Sequence, residues 1–127
     1  AKDVFVPITV GGGIRTLADI KDVLRSGADK VAINTAAVLR PDFIREASET
    51  FGSSTIVVVI EAILQKDGRY LVSTDSAREI QGLDAKDWAE QVAAFGAGEI
   101  VITAVEREGT GNGFDLSLTK IISEIVN

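Results

Sequence analysis

Two groups of residues in this sequence have the types and spacing to do chemistry. The first is a set of hydrogen-bond donors. Three glycines, Gly11-Gly12-Gly13, follow the apolar run Pro7-Ile8-Thr9-Val10, and a polar pair, Asn34-Thr35, follows Lys30-Val31-Ala32-Ile33. Glycines between a strand and a helix let the backbone approach an anion closely, and the N–H groups and dipole of the following helix favour negative charge. If the two runs are adjacent parallel strands, Gly12, Gly13, Asn34 and Thr35 meet at one sheet edge and make a cradle for phosphate or sulfate. A tight strand-to-helix turn would use the same glycines without any ligand; the coincidence with Asn34-Thr35 favours the anion site. The second group is carboxylates. Glu61 ends an otherwise apolar strand at its carboxyl end, where α/β folds place their sites, so it either lines a site or solvates its rim. Glu106 and Glu108 flank Arg107, a pattern that local ion pairing in a solvated loop also explains.

Composition narrows the chemistry further. The 127 residues contain no Cys and no His. That removes disulfides, thiol nucleophiles, the usual zinc ligand sets and the commonest general base. Catalysis would have to come from carboxylates, hydroxyls, Lys, Arg or backbone, and neither a metal nor an organic cofactor is expected. The net charge is −6, with no basic stripe, so nucleic acid and anionic membrane surfaces are poor partners. No apolar run reaches the roughly 18 residues of a membrane span and no signal peptide opens the sequence, so a soluble, cytoplasmic protein is expected. The start, Ala1-Lys2-Asp3 without Met, reads as trimmed, excised or engineered.

The elements that must position these residues alternate. Leu17, Ile20, Val23 and Leu24 recur at helical spacing, with Thr16 as N-cap and Ser26-Gly27 as the stop. After the second strand, Pro41 opens a helix with Phe43, Ile44, Ala47 and Phe51 as its inner stripe and Gly52 at its end. The β-branched run 55–60 reads as a strand covered on both faces. Lys66-Asp67-Gly68-Arg69 is a turn signal between two apolar runs, which predicts a β-hairpin inserted around 62–74. A helix over 83–95 has Asp84 as N-cap, Trp88, Val92 and Phe95 turned inward, and Gly96 at its end. A strand over 99–104, a glycine-rich loop over 106–114 and a last helix over 116–126 complete the order. The order is (βα)4 in a single domain over 1–127, and this pattern alone fits an open doubly wound sheet as well as half of a barrel. The charged side chains Asp19, Asp22, Arg25, Arg45, Glu46, Glu49, Lys86, Asp87 and Glu90 fall on outward helix faces and are expected only to solvate them.

The runs Pro7-Ile-Thr-Val-Gly-Gly-Gly-Ile-Arg, Gly27-Ala-Asp-Lys-Val-Ala-Ile-Asn-Thr-Ala-Ala-Val, Ile56-Val-Val-Val-Ile, Gly96-Ala-Gly-Glu-Ile and Glu106-Arg-Glu-Gly-Thr closely resemble the cyclase subunit of imidazole glycerol phosphate synthase, of histidine biosynthesis. The likeness covers essentially the whole chain but only the middle of that family's (β/α)8 barrel, strands three to six. It implies an α/β fold, a (βα)4 half of a TIM barrel, and it implies that Gly13, Asn34 and Thr35 correspond to one of the family's two phosphate sites. Glu61 and Glu108 stand at positions where the family has aspartates, and the first-strand aspartate has no counterpart here. Each glutamate is one methylene longer, which displaces the carboxylate by about an ångström, an error that can cost on the order of a hundredfold in rate.

Three functions follow as expectations. The favoured one is a half-barrel scaffold, natural or designed, that pairs with a copy of itself as a two-fold homodimer and keeps a phosphate site without efficient catalysis. The others are a cyclase or lyase acting on a phosphorylated, nucleotide-derived substrate, and a phosphosugar binder without turnover.

Overall fold

The computed structural model describes residues 8–74, 79–109 and 114–124, with residue 35, residues 79–81 and everything beyond residue 103 described by backbone alone. The first three strands are β1 (Thr9–Gly11), β2 (Lys30–Ile33) and β3 (Ile56–Leu64), joined through α1 (Leu17–Arg25) and then α2 (Thr35–Leu39) and α3 (Asp42–Phe51). β4 (Tyr70–Thr74), β5 (Glu79–Asp84), α4 (Ala85–Phe95), β6 (Glu99–Gly109) and β7 (Phe114–Glu124) follow.

β1, β2, β3 and β6 pair side by side and all parallel, with Gly11 opposite Ala32, Ile33 opposite Val58, and Glu61 opposite Thr103. Spatial order therefore follows chain order along the parallel strands, without the reversal that a doubly wound sheet contains. The mixed α/β sheet is open and has the arrangement of half a TIM barrel. β4 folds back antiparallel on the carboxyl-terminal half of β3 (Glu61 opposite Ser73), and β5 adds outside it. The turn between β3 and β4 is closed by Gln65 N–H donating to the Arg69 carbonyl at 2.8 Å, with Gly68 at φ 88°.

Alternation along β3 separates two faces. Ile56, Val58, Ile60 and Ala62 belong to the core cluster with Ile20 of α1, Phe43, Ile44 and Ala47 of α3, and Trp88 and Val92 of α4. The other face carries Val57, Val59, Glu61 and Ile63. Val57 and Ile63 are buried, whereas Val59, Glu61 and their β6 neighbours Val101 and Thr103 are half-buried. The run 55–60 was expected to be covered equally on both faces; helices cover one and leave the other half open, as the concave side of a half-barrel requires.

Two expectations at the carboxyl end need correction. The segment 116–126 was read as a helix and 106–114 as a loop, but β6 runs through Glu106 to Gly109 and pairs antiparallel with β7 from Glu99–Glu124 to Gly109–Phe114. The sequence fits both periods. Leu118, Ile121 and Ile122 suit a helix, while Phe114-Asp-Leu-Ser-Leu-Thr119 alternates strictly and is followed, after Lys120, by β-branched Ile121 and Ile122. The unpaired N–H and C=O groups along the edge of β6 favour the strand, because β7 satisfies them.

Candidate functional site

The carboxyl-terminal ends of β1 and β2, with Glu61 from within β3, surround a cleft of about 580 Å³ lined by Gly12, Gly13, Ile14, Arg15, Ala32, Asn34, Ala36, Leu39, Arg40 and Glu61. Its floor is kept low by small residues: a Cβ on Gly11 would stand 2.9 Å from the Cβ of Ala32 on the neighbouring strand. Gly12 and Gly13 have φ of 95° and 70°, a conformation other residues rarely adopt, and open space stands where a side chain would be. The backbone is thus exposed to the cleft, which is what close approach by an anion needs.

Asn34 follows β2 directly. Its Nδ2 donates to Oε1 of Glu61 at 3.3 Å, so the amide and the carboxylate meet inside the cleft. Glu61 is fixed from both sides, opposite Thr103 on β6 and opposite Ser73 on β4, whose hydroxyl donates to the Glu61 carbonyl at 3.4 Å. The structure therefore brings together Gly12, Gly13, Asn34 and Glu61 from three separate segments. Thr35 begins α2 beside Asn34, and Glu108 lies on β6 opposite Asp115; the side chains of both are outside the described residues.

One part of the expected cradle differs. The start of α1 was expected to offer unpaired N–H groups, but it is closed by a capping box. Asp19 Oδ2 accepts from Arg15 N–H at 2.9 Å and Thr16 N–H at 3.1 Å, while Thr16 Oγ1 accepts from Asp19 N–H at 3.1 Å. The hydrogen bond from Arg15 N–H, more than any other influence, holds the Asp19 carboxyl below its ordinary value. A negative charge already occupies the α1 terminus, so Asp19 does more than solvate a surface. Among the residues that line the cleft, donors for a ligand include the glycine turn, the Asn34 amide and the guanidinium groups of Arg15 and Arg40.

Those guanidinium groups, on Arg15 and Arg40, were missed by sequence reasoning. Arg15 was legible in principle, two residues beyond the glycines. Arg40 was not, because nothing in the sequence shows that the five-residue α2 turns the chain back to the cleft. Arg40 is paired with Glu46 at 3.2 Å and lies over the ring of buried Phe43, 5.2 Å from its centroid. Glu46 was expected only to solvate α3.

A cluster of His, Cys, Asp or Glu able to hold a metal is absent among the described residues. Among them, too, no helix is long and apolar enough to cross a membrane. The arrangement can hold an anion at the glycine turn and the cations, with a carboxylate for proton transfer a short distance away.

Comparison with known proteins shows the family. The family model described as Histidine biosynthesis protein matches residues 1–127. The chain is 47% identical over 127 residues to the imidazole glycerol phosphate synthase subunit HisF of Alkaliphilus metalliredigens (strain QYMF), covering 50% of that protein. It is 51% identical over 127 residues to the protein of the same name from Legionella pneumophila, covering 60% of it. The chain thus spans half to three-fifths of the length of these relatives. With all of its residues matched by the family model, the chain belongs to the histidine biosynthesis protein family.

Proposed function

We propose that this chain supplies the phosphate-anchoring half of a cyclase-type barrel site for a phosphorylated, nucleotide-derived substrate. The observation that carries this reading is the Asn34–Glu61 contact in the same cleft as the Gly12–Gly13 turn. In this reading Gly12, Gly13, Asn34 and Thr35 bind a phosphate or sulfate ion or the phosphate of a phosphosugar. Glu61 supplies a carboxylate for proton transfer, whereas Glu108, five residues beyond Thr103 on β6, is not among the described residues that line this cleft. The relatives' name, a subunit of imidazole glycerol phosphate synthase, supports the substrate class. Turnover by this chain is expected to be weak, since both carboxylates are glutamates where the family resemblance implies aspartates. Titration with glycerol phosphate followed by NMR tests the site: the Gly12 and Gly13 amide resonances and the Asn34 side-chain amide should shift together. Shifts confined to other residues would reject it. Cyclase-type turnover is read separately, by whether the chain restores growth of a strain lacking the cyclase.

A second reading concerns assembly. Among the described residues β1 pairs with β2 alone, and Ile8 before it and Val10 within it are 55% and 38% exposed. A second copy of the chain, closing an eight-stranded barrel about a two-fold axis, would cover that edge. Closure also needs the edge of β6, where β7 sits, so β7 would have to yield its place to the partner's first strand.

A further inference from the structure

The cation pair of Arg40 has a design that the phosphate reading does not by itself require. Arg40 caps the carboxyl end of α2, and Asn34 caps its amino end, so this short helix delivers two cleft-lining side chains to one ligand space. The guanidinium is held on two sides. Its Nη2 donates to Glu46 Oε2 at 3.2 Å, and the ring of Phe43 lies beneath it at 5.2 Å. These two contacts differ in permanence. Phe43 is fully buried and fixed in the core, whereas the side chains of Arg40 and Glu46 are 58% and 46% exposed. An exposed ion pair of this kind is worth little and is easily exchanged. A guanidinium fork facing a phosphate forms two parallel charge-assisted hydrogen bonds, which are stronger.

We propose that Arg40 is a phosphate clamp held in reserve by Glu46. When phosphate enters the cleft, the guanidinium pivots on the Phe43 ring, leaves Glu46 and pairs with the phosphate held at Gly12, Gly13 and Asn34. Glu46 then acts as a competitor for the clamp and sets affinity from outside the cleft. This rests on the reading of the cleft as a phosphate site and adds to it the residue pair that tunes how tightly phosphate is held.

The test is titration of the full chain with inorganic phosphate at pH 7, comparing the parent with Arg40→Gln, Arg40→Lys, Glu46→Gln and Gly13→Asp. Arg40→Gln should weaken binding roughly tenfold, and Arg40→Lys, a point charge without the fork, should fall between it and the parent. Glu46→Gln should tighten binding by about two- to fivefold, because the clamp is released. A merely structural Arg40–Glu46 pair would move both single variants in the same direction, and that result overturns the proposal. Binding lost in Gly13→Asp but unchanged in both Arg40→Gln and Glu46→Gln also overturns it, while leaving the cleft as the phosphate site. Absence of phosphate binding by the parent overturns both. Thermal melts of each variant show whether the fold is retained, and the tightening in Glu46→Gln cannot arise from unfolding.

Discussion

Asp19 illustrates how a single carboxylate decides where an anion can sit. By accepting from Arg15 and Thr16 N–H, Asp19 places its own charge at the positive end of α1. In the proposed reading that charge disfavours an anion at the α1 terminus and favours the glycine turn, Asn34, Arg15 and Arg40. Because the folded-state pKa of Asp19 lies below its unfolded value, its stabilising contribution is present above the ordinary carboxylate value and is lost as pH falls through the lowered one. Asp67 follows the same sign, drawn down first by the Arg69 backbone N–H and then by its side chain. Melting temperature measured from pH 7 down to pH 3 should therefore fall on the acid side, and Asp19→Asn should flatten that fall. Gly98 makes a second residue-scale prediction. A Cβ there would fall against the backbone carbonyl of Ser53, well inside contact distance, so Gly98→Ala should cost about 1–3 kcal/mol in a denaturant melt despite being a small change. The cleft positions of Gly13 and Glu61 were legible because each follows an apolar run, although Glu61 does not end its strand: β3 continues to Leu64, where β4 pairs with it. Arg40 and the tethering role of Glu46 were not, because both depend on a path of the chain between α2 and α3 that local pattern does not encode.

At the scale of elements, caps carry much of the specification. Asp84 accepts from Lys86 N–H at 2.9 Å and Asp87 N–H at 3.2 Å, and Gly96 ends α4 in the left-handed conformation at φ 107°. Asp84→Ala should destabilise the protein by about 1 kcal/mol, read as a shift in the denaturant midpoint without a change in slope. Thr16, Gly52, Asp84 and Gly96 were all readable because capping chemistry is local. The short α2 and the strand β5 were not expected. Each is too short to show a period, and β5 exists because β4 offers it a pairing edge. The helix expected over 116–126 failed for the same physical reason in reverse: a sequence compatible with two periods takes the one that satisfies the backbone of β6. Tertiary hydrogen bonding, not local propensity, decides such segments.

For the whole molecule, the parallel order β1-β2-β3-β6 makes an open sheet with a half-open face carrying Val59, Glu61, Val101 and Thr103. The sequence pattern could not choose between a doubly wound sheet and half of a barrel, since both use the same alternating elements; strand order, without a reversal, favours the half-barrel. Such a face gains stability from a covering partner. The proposed two-fold closure predicts a dimer mass by size exclusion with light scattering at micromolar concentration, and a cooperatively folded monomer under those conditions would contradict it. The central claim is the phosphate-anchoring cleft, and calorimetric titration of inorganic phosphate into the parent and into the Gly13→Asp, Thr35→Val double variant tests it most directly. The account predicts one phosphate per parent chain and a loss of more than about tenfold in affinity for the variant, which places a charge in the cradle and removes a donor. Equal binding by the two proteins would contradict it.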